Sequence, residues 1–293
     1  MPLPPADLEC LADYACKTGE NPLWHPGEQC LYWADIPGGR LFRYHPASGQ
    51  HQQVYSGRPV GGFTLQADGA LLLFQDRGTI SLWRDGHLTP ILPGLPTELD
   101  SRFNDVIADP AGRVFCGTMS TPDRRGRLYR LNLDRSITLL LEGIGCPNGM
   151  AFTPDRKGFY FTDSFTREIY LFDYDQASGN ITNQRVFARF PESFGFPDGC
   201  TLDAAGHLWV AFWDGAFVAH LDSTGQLTDR IPIPVPKTAS ITFGGPLCRD
   251  LYITTAGGHE KATEAPLAGA LFRLKNAGQG LPEFPSRIQI PKE

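Results

Sequence analysis

The chain has 293 residues, of which 41% are hydrophobic and 20% charged, and its net charge is −6. That is the balance of an ordinary soluble globular protein. With no basic stripe, RNA-binding signature or zinc-finger spacing, it argues against a nucleic-acid partner, and the aliphatic runs, such as Ala70–Phe74, are far too short to span a bilayer.

Taken in order, the chain opens with Met1-Pro2-Leu3-Pro4-Pro5, which lacks the charged and apolar regions of a signal peptide, so none is expected. A strand-like stretch follows at Leu8–Ala15. Then a unit repeats. Its first copy has a turn at His25–Glu28 and strands at Leu31–Asp35 and Arg40–Tyr44; its second runs Ala67–Leu73 and Gly78–Trp83. The third is Asp109–Phe115 with Gly126–Leu131, and the fourth Thr153–Tyr160 with Glu168–Phe172. The fifth is Asp203–Trp209 with Ala216–Leu221, and the sixth Leu247–Ile253 with Gly269–Leu274. Short runs rich in Val, Ile, Leu and aromatics, punctuated by Gly and Pro turns, read as strands. A period of roughly 42–48 residues is that of four-stranded propeller blades. The expectation is an all-β chain, a six-bladed β-propeller with four-stranded blades, forming one domain over residues 1–293. Leu8–Ala15 is expected to join the last blade beside Ile288–Ile290, which would close the ring and remove exposed edges.

Seven cysteines occur, at 10, 16, 30, 116, 146, 200 and 248, with no CxxC pair. Free, mostly buried thiols and a cytoplasmic location are expected. The seven histidines are dispersed and no two show metal-ligand spacing along the chain.

Four polar residues stand at the mouths of successive strands. Glu20 lies seven residues before the turn glycine Gly27, Asn104 eight before Gly112, Asp198 eight before Gly206 and Asn148 ten before Gly158. Gly61 occupies the corresponding place in the second unit, and Ser240 or Ile241 in the sixth. Innermost strands ring the tunnel of a propeller, so these side chains are expected to converge on its axis. Glu, Asn, Asn and Asp together offer hard oxygen ligands, which suit Ca²⁺, Mg²⁺ or Mn²⁺ and suit Zn²⁺ or Fe²⁺ less well. Taken singly, Asn148-Gly149 and Asp198-Gly199 are also common turn dipeptides. The aromatic residues Phe165, Phe194 and Trp213 are candidates for a pocket wall, and His259 lies in a Gly-rich loop that could overhang the mouth.

Along nearly its whole length the chain resembles the SMP-30/gluconolactonase/regucalcin family. The segments that carry the resemblance are Gly19–Trp24, Arg102–Asp105, Cys116–Met119, Pro147–Gly149, Thr162–Ser164, Pro197–Gly199, Phe243–Pro246, Leu251–Ala256 and Pro266–Gly269. The resemblance implies one divalent metal in the tunnel, held by Glu20, Asn148 and Asp198, with Arg102 and Asn104 binding substrate. It also implies hydrolysis of a sugar lactone, such as gluconolactone, xylonolactone or arabinolactone. The alternatives are an organophosphate-type phosphotriesterase on the same metal and a non-enzymatic calcium-binding regulator. Ca²⁺ is the favoured ion, with Mg²⁺, Mn²⁺, Zn²⁺ and Fe²⁺ as alternatives. Asp198 is the expected general base. No G-x-S-x-G or Cys–His motif points to a covalent route. The sequence departs from the family at Ser120–Gly126, where a Glu that holds substrate hydroxyls in some members is absent and Asp123 is the candidate substitute. The expected partner is a small sugar lactone, with no nucleic acid and no membrane, and the chain is expected to be a monomer or weak dimer.

Overall fold

The computed structural model describes residues 5–291; Met1–Pro4, where no signal peptide is expected, lie outside that range. After β1 (Leu8–Asp13), blade 1 is built from β2 (Gly19–His25), β3 (Cys30–Asp35), β4 (Arg40–His45) and β5 (Gln50–Ser56). Blade 2 follows as β6 (Val60–Leu65), β7 (Leu71–Gln75), β8 (Ile80–Arg84) and β9 (His87–Leu92). Blade 3 is β10 (Phe103–Ala108), β11 (Val114–Thr118), β12 (Gly126–Leu131) and β13 (Ile137–Ile144). Blade 4 is β14 (Pro147–Phe152), β15 (Gly158–Asp163), β16 (Glu168–Asp175) and β17 (Asn180–Arg189). Blade 5 is β18 (Phe196–Leu202), β19 (Leu208–Trp213), β20 (Phe217–Leu221) and β21 (Leu227–Pro232). The last blade has β22 (Thr238–Gly244), β23 (Asp250–Thr255) and β24 (Ala270–Leu274), and its fourth strand is β1. The fold is therefore the six-bladed propeller that the repeat predicts, and it closes with the N-terminal strand as expected.

The neighbour of that strand differs from expectation. Leu8 to Asp13 pair antiparallel with Leu274 to Ala270, not with Ile288–Ile290. The chain after β24 instead forms a strap under the tunnel. Ala204 N–H donates to Gln279, Arg287 N–H to Gly112 and Gln289 N–H to Leu133, and Ile288 is buried between blades 2 and 3. The apolar Ile288 side chain finds a core that a position beside β24 would not supply.

Six apolar clusters fill the six gaps between neighbouring blades. Both faces of each blade are therefore covered. This explains why β3, β7, β11 and β15 are buried at every position and read as continuous apolar runs. The closing gap, between blades 6 and 1, holds Ala12, Trp33, Phe42, Tyr252 and Leu271, with Tyr14 stacked on Phe42 at 4.3 Å.

One irregularity recurs in every blade. The pairing of the innermost strand with its neighbour slips by one residue, at Glu20–Leu23, Val60–Gly62, Phe103–Val106, Asn148–Met150, Pro197–Cys200 and Thr238–Ser240. Such a β-bulge re-aims side chains out of the regular pleat. The bulges also bring neighbouring strands very close. A Cβ on Gly61 would lie 1.9 Å from the Phe103 carbonyl oxygen, and one on Gly149, at φ +23°, would lie 2.4 Å from that of Asp198. Only glycine fits there. Gly149→Ala is expected to lower unfolding free energy by about 1–3 kcal/mol, the usual effect of overpacking. A denaturant midpoint equal to the parent's would contradict that assignment.

Candidate functional site

All six innermost strands run in the same direction, so their bulges form a ring at one end of the tunnel. Glu20, Arg102, Asn104, Asn148 and Asp198 share one cavity of about 310 Å³ there, with Phe165, Phe196 and Trp213 as its aromatic wall. The five residues expected to meet do meet. In the sixth blade the bulge falls on Ala239, one residue earlier than the Ser240 or Ile241 expected. Phe194 is not part of the wall. It packs on Phe190, Phe212 and Phe217 beneath Arg230, and Phe196, two residues on, takes its place in the cavity. His259 and Asp123 do not line the cavity; His259 is half exposed beside Glu260, and Asp123 is exposed.

A chain of hydrogen bonds fixes the amides. Arg102 Nη1 donates to Asn104 Oδ1 at 2.7 Å and to the Phe103 carbonyl at 2.9 Å. Asn104 Nδ2 donates to Asn148 Oδ1 at 2.7 Å and to the Pro147 carbonyl at 2.9 Å. Asn148 Nδ2 donates to Ser164 Oγ at 2.9 Å, and Ser164 donates to the Pro197 carbonyl at 2.6 Å. The relay spans three blades and leaves Asn148 Oδ1 with acceptor capacity to spare. Ser164 is held in turn by Asp163. That carboxylate caps the short 3-10 turn Ser164–Thr166 through Phe165 N–H at 3.2 Å and pins Gly145 and Cys146 through their amides at 2.8 and 2.9 Å.

The acids are less well satisfied. Asp198 is 4% exposed, and its Oδ1 has no hydrogen-bond partner among the described residues. Burial raises its pKa well above the carboxylate range, and the charges of Glu20 and Asp105 raise it further, against a smaller opposing effect of Arg102. Glu20 is shifted the same way by burial and by Asp105; the Asn21 amide, Arg102 and Ser240 oppose the shift. Asp105 points into a second chamber on the strap side, where it meets Glu283. Burial pushes Asp105 to about 7. Burial also depresses Arg102, although Cys146, Glu20 and Asp198 oppose the shift. An orphaned carboxylate oxygen, a second carboxylate and an oriented amide oxygen around one space form a hard-oxygen donor set. Such a set fits a divalent cation.

Sequence reading missed Asp105, Ser164 and Glu283. Asp105 shares its bulge with Asn104, and only the extra bulge residue sends it to the other chamber. A further group was also missed. His207 and His220 converge on Asp203 at the strap end of blade 5, although they lie 13 positions apart in sequence. His207 lies in the turn just before β19 and His220 on β20, the strand that pairs with it, a proximity that sequence spacing does not express.

Comparison with known proteins gives one picture. Residues 18–257 match the family described as SMP-30/gluconolactonase/LRE-like region. The chain is similar to pentonolactonase XacC of Haloferax volcanii, 44% identical over 287 residues that cover 96% of this chain and 98% of that protein. It is 33% identical to regucalcin of Gallus gallus over 291 residues, covering 95% of this chain and 97% of that one. Among solved structures, the calcium-binding protein regucalcin from Agrobacterium tumefaciens superposes with a TM-score of 0.86 at 27% identity, over 94% of this chain and 96% of that one.

The buried acids make a pH prediction. A carboxyl with a folded pKa above its unfolded value binds more protons when folded, so stability falls as pH rises through that window. The metal-free protein is therefore expected to lose thermal stability between about pH 4 and pH 8, with a shallower loss in Glu20→Gln. A melting temperature that rises across this range in chelated protein would overturn the electrostatic account.

Proposed function

The chain belongs to the SMP-30/gluconolactonase/LRE-like family, and we propose that it is a lactonase that opens sugar lactones to aldonic acids. The observation that carries this reading is Asp198. A buried carboxylate with a partnerless oxygen stands beside a second carboxylate and a fixed amide, in a cavity large enough for a small neutral ring. The similarity to a pentonolactonase over nearly the full length of both chains favours five-carbon aldonolactones as the first substrates to test.

Glu20, Asn148 and Asp198 are the residues that would hold a divalent ion, with Ca²⁺ favoured by their oxygen donors. When bound, such an ion polarises a carbonyl oxygen and lowers the pKa of a neighbouring water. Asp198 acts as general base and takes the proton of the attacking water, which needs one of its oxygens left free by the ion. Glu20 supplies the second negative charge and is held by Asn21 N–H at 3.2 Å. Arg102 binds substrate oxygens. Its Nη1 is occupied by Asn104 and Phe103, while its Nε and Nη2 make no hydrogen bond within the described residues. Asn104 has both amide atoms engaged, so it acts by orienting Arg102 and Asn148 and touches substrate only from within that network. Phe165, Phe196 and Trp213 exclude water from the apolar face of the sugar ring. Arg167 lies over Phe196 at 4.4 Å and fixes that ring.

All seven thiols are free, which supports a reducing, cytoplasmic setting. Among the described residues no helix is long and apolar enough to cross a membrane.

Hydrolysis of five- and six-carbon aldonolactones, read by acid release beside an organophosphate control, tests the reading. Lactone turnover is expected in metal-replete protein, none after chelation, and recovery on adding Ca²⁺ or Mn²⁺. Asp198→Asn is expected to lower kcat by about 10²-fold or more, the loss of a general base. Near-parent turnover in that variant, or in protein verified as metal-free, would remove Asp198 and the ion from the reaction.

A further inference from the structure

The turn between β18 and β19 lies at the strap end of blade 5, away from the cavity of Glu20 and Asp198. Asp203 sits in it, 8% exposed. Its Oδ1 accepts the amides of Ala205 at 3.0 Å and His207 at 2.9 Å. Its Oδ2 accepts Trp209 Nε1–H at 3.1 Å and then faces two imidazole nitrogens, His220 Nε2 at 3.4 Å and His207 Nδ1 at 3.8 Å. Those distances are long for hydrogen bonds. They are short enough for one ion to be shared, because ligands about 2.0–2.1 Å from a tetrahedral metal stand roughly 3.3–3.4 Å apart.

The tautomer of His220 sharpens the point. Thr228 Oγ1 donates its one proton to the His220 carbonyl at 2.9 Å, so it must accept from His220 Nδ1, 3.0 Å away. The Nε2 of a neutral His220 ring then carries a lone pair directed at a carboxylate oxygen. Two acceptors then face each other, and either a proton on the imidazole or a cation between them relieves the contact. The same position in blade 3 meets this need permanently. There Asp109 Oδ1 accepts Ala111 and Arg113 amides at 2.9 Å each, while Oδ2 takes Arg113 Nε at 2.6 Å and Tyr174 Oη at 2.8 Å. Blade 5 keeps the aspartate and the turn but replaces the fixed guanidinium with imidazoles.

We propose that Asp203, His207 and His220 form a second metal site, independent of the tunnel, for a borderline divalent ion of the zinc type. Two imidazole nitrogens and one carboxylate oxygen suit Zn²⁺ or Co²⁺ and suit Ca²⁺ poorly. Among the described residues no other three His, Cys, Asp or Glu side chains bring their ligand atoms so close. The outer-sphere partners are in place: Thr228 fixes His220, Trp209 holds Asp203 and lies 4.3 Å from the His220 ring. The half-exposed His207 leaves a coordination position for water. The role is structural. Ala204 N–H donates to Gln279 at 2.7 Å, so the ion would stiffen the turn on which the C-terminal strap rests.

The test uses full-length chelated protein and the metals alone. Zn²⁺ is titrated into the parent, Asp198→Asn, His207→Gln and His207→Ala/His220→Ala, with unfolding curves as a control for folding. Beside any ion held in the parent's tunnel, the cluster is expected to contribute one zinc equivalent in both the parent and Asp198→Asn. It should weaken at least about 10-fold in His207→Gln and vanish in the double variant. Co²⁺ should give the strong visible absorption of a low-coordinate site in the parent and in Asp198→Asn only. If Zn²⁺ and Co²⁺ bind equally to the parent and to a folded double variant, or neither binds Asp198→Asn, the cluster is held by a proton alone and the proposal fails.

Discussion

Three carboxylates in one narrow tunnel, opposed by a single guanidinium, set the constraint on which the site depends. Burial raises the proton affinity of all three; Glu20 and Asp105 raise that of Asp198 further, Asp105 that of Glu20, and Arg102 offsets only part of it for Glu20 and Asp198. A fold does not assemble such charges for stability, because each is desolvated without adequate pairing. The six interblade cores supply the favourable energy that holds them there. The acids stay in place because the bulges are rigid: glycine at 61 and 149 lets neighbouring backbones approach to distances no side chain would permit.

Around this centre the amides of Asn104 and Asn148 and the Ser164 hydroxyl are each held by hydrogen bonds. The relay from Arg102 through Asn104, Asn148 and Ser164 to the Pro197 carbonyl gives each amide one orientation. The site therefore separates two tasks. Amides and hydroxyl define positions, and carboxylates remain undersatisfied, ready for a cation and for proton transfer. Pre-positioned groups of this kind need little rearrangement when substrate arrives.

Much of this was legible in the sequence. The blade repeat shows because the middle strands are buried on both faces and read as apolar runs with turn glycines between them. The convergence of Glu20, Asn104, Asn148 and Asp198 shows because bulge positions keep a near-constant offset from those glycines. The outermost strands were not legible: β5 and β17 are mostly exposed and carry little apolar pattern. Phe196 was mistaken for Phe194 because both are aromatic and only the start of β18 decides which faces the tunnel. The strap, with Ile288 and Glu283, lacks any strand period and is placed by long-range contacts alone. Asp203, His207 and His220 meet through strand pairing, which spacing along one chain cannot reveal.

The most direct measurement is a crystal structure of protein soaked with Mn²⁺, with the ion located by its anomalous scattering. The account predicts one ion at the bulge ring, within direct bonding distance of a Glu20 carboxylate oxygen, Asn148 Oδ1 and an Asp198 carboxylate oxygen. A tunnel without an ion, or an ion bound only through Asp105 and Glu283 on the strap side, would contradict it.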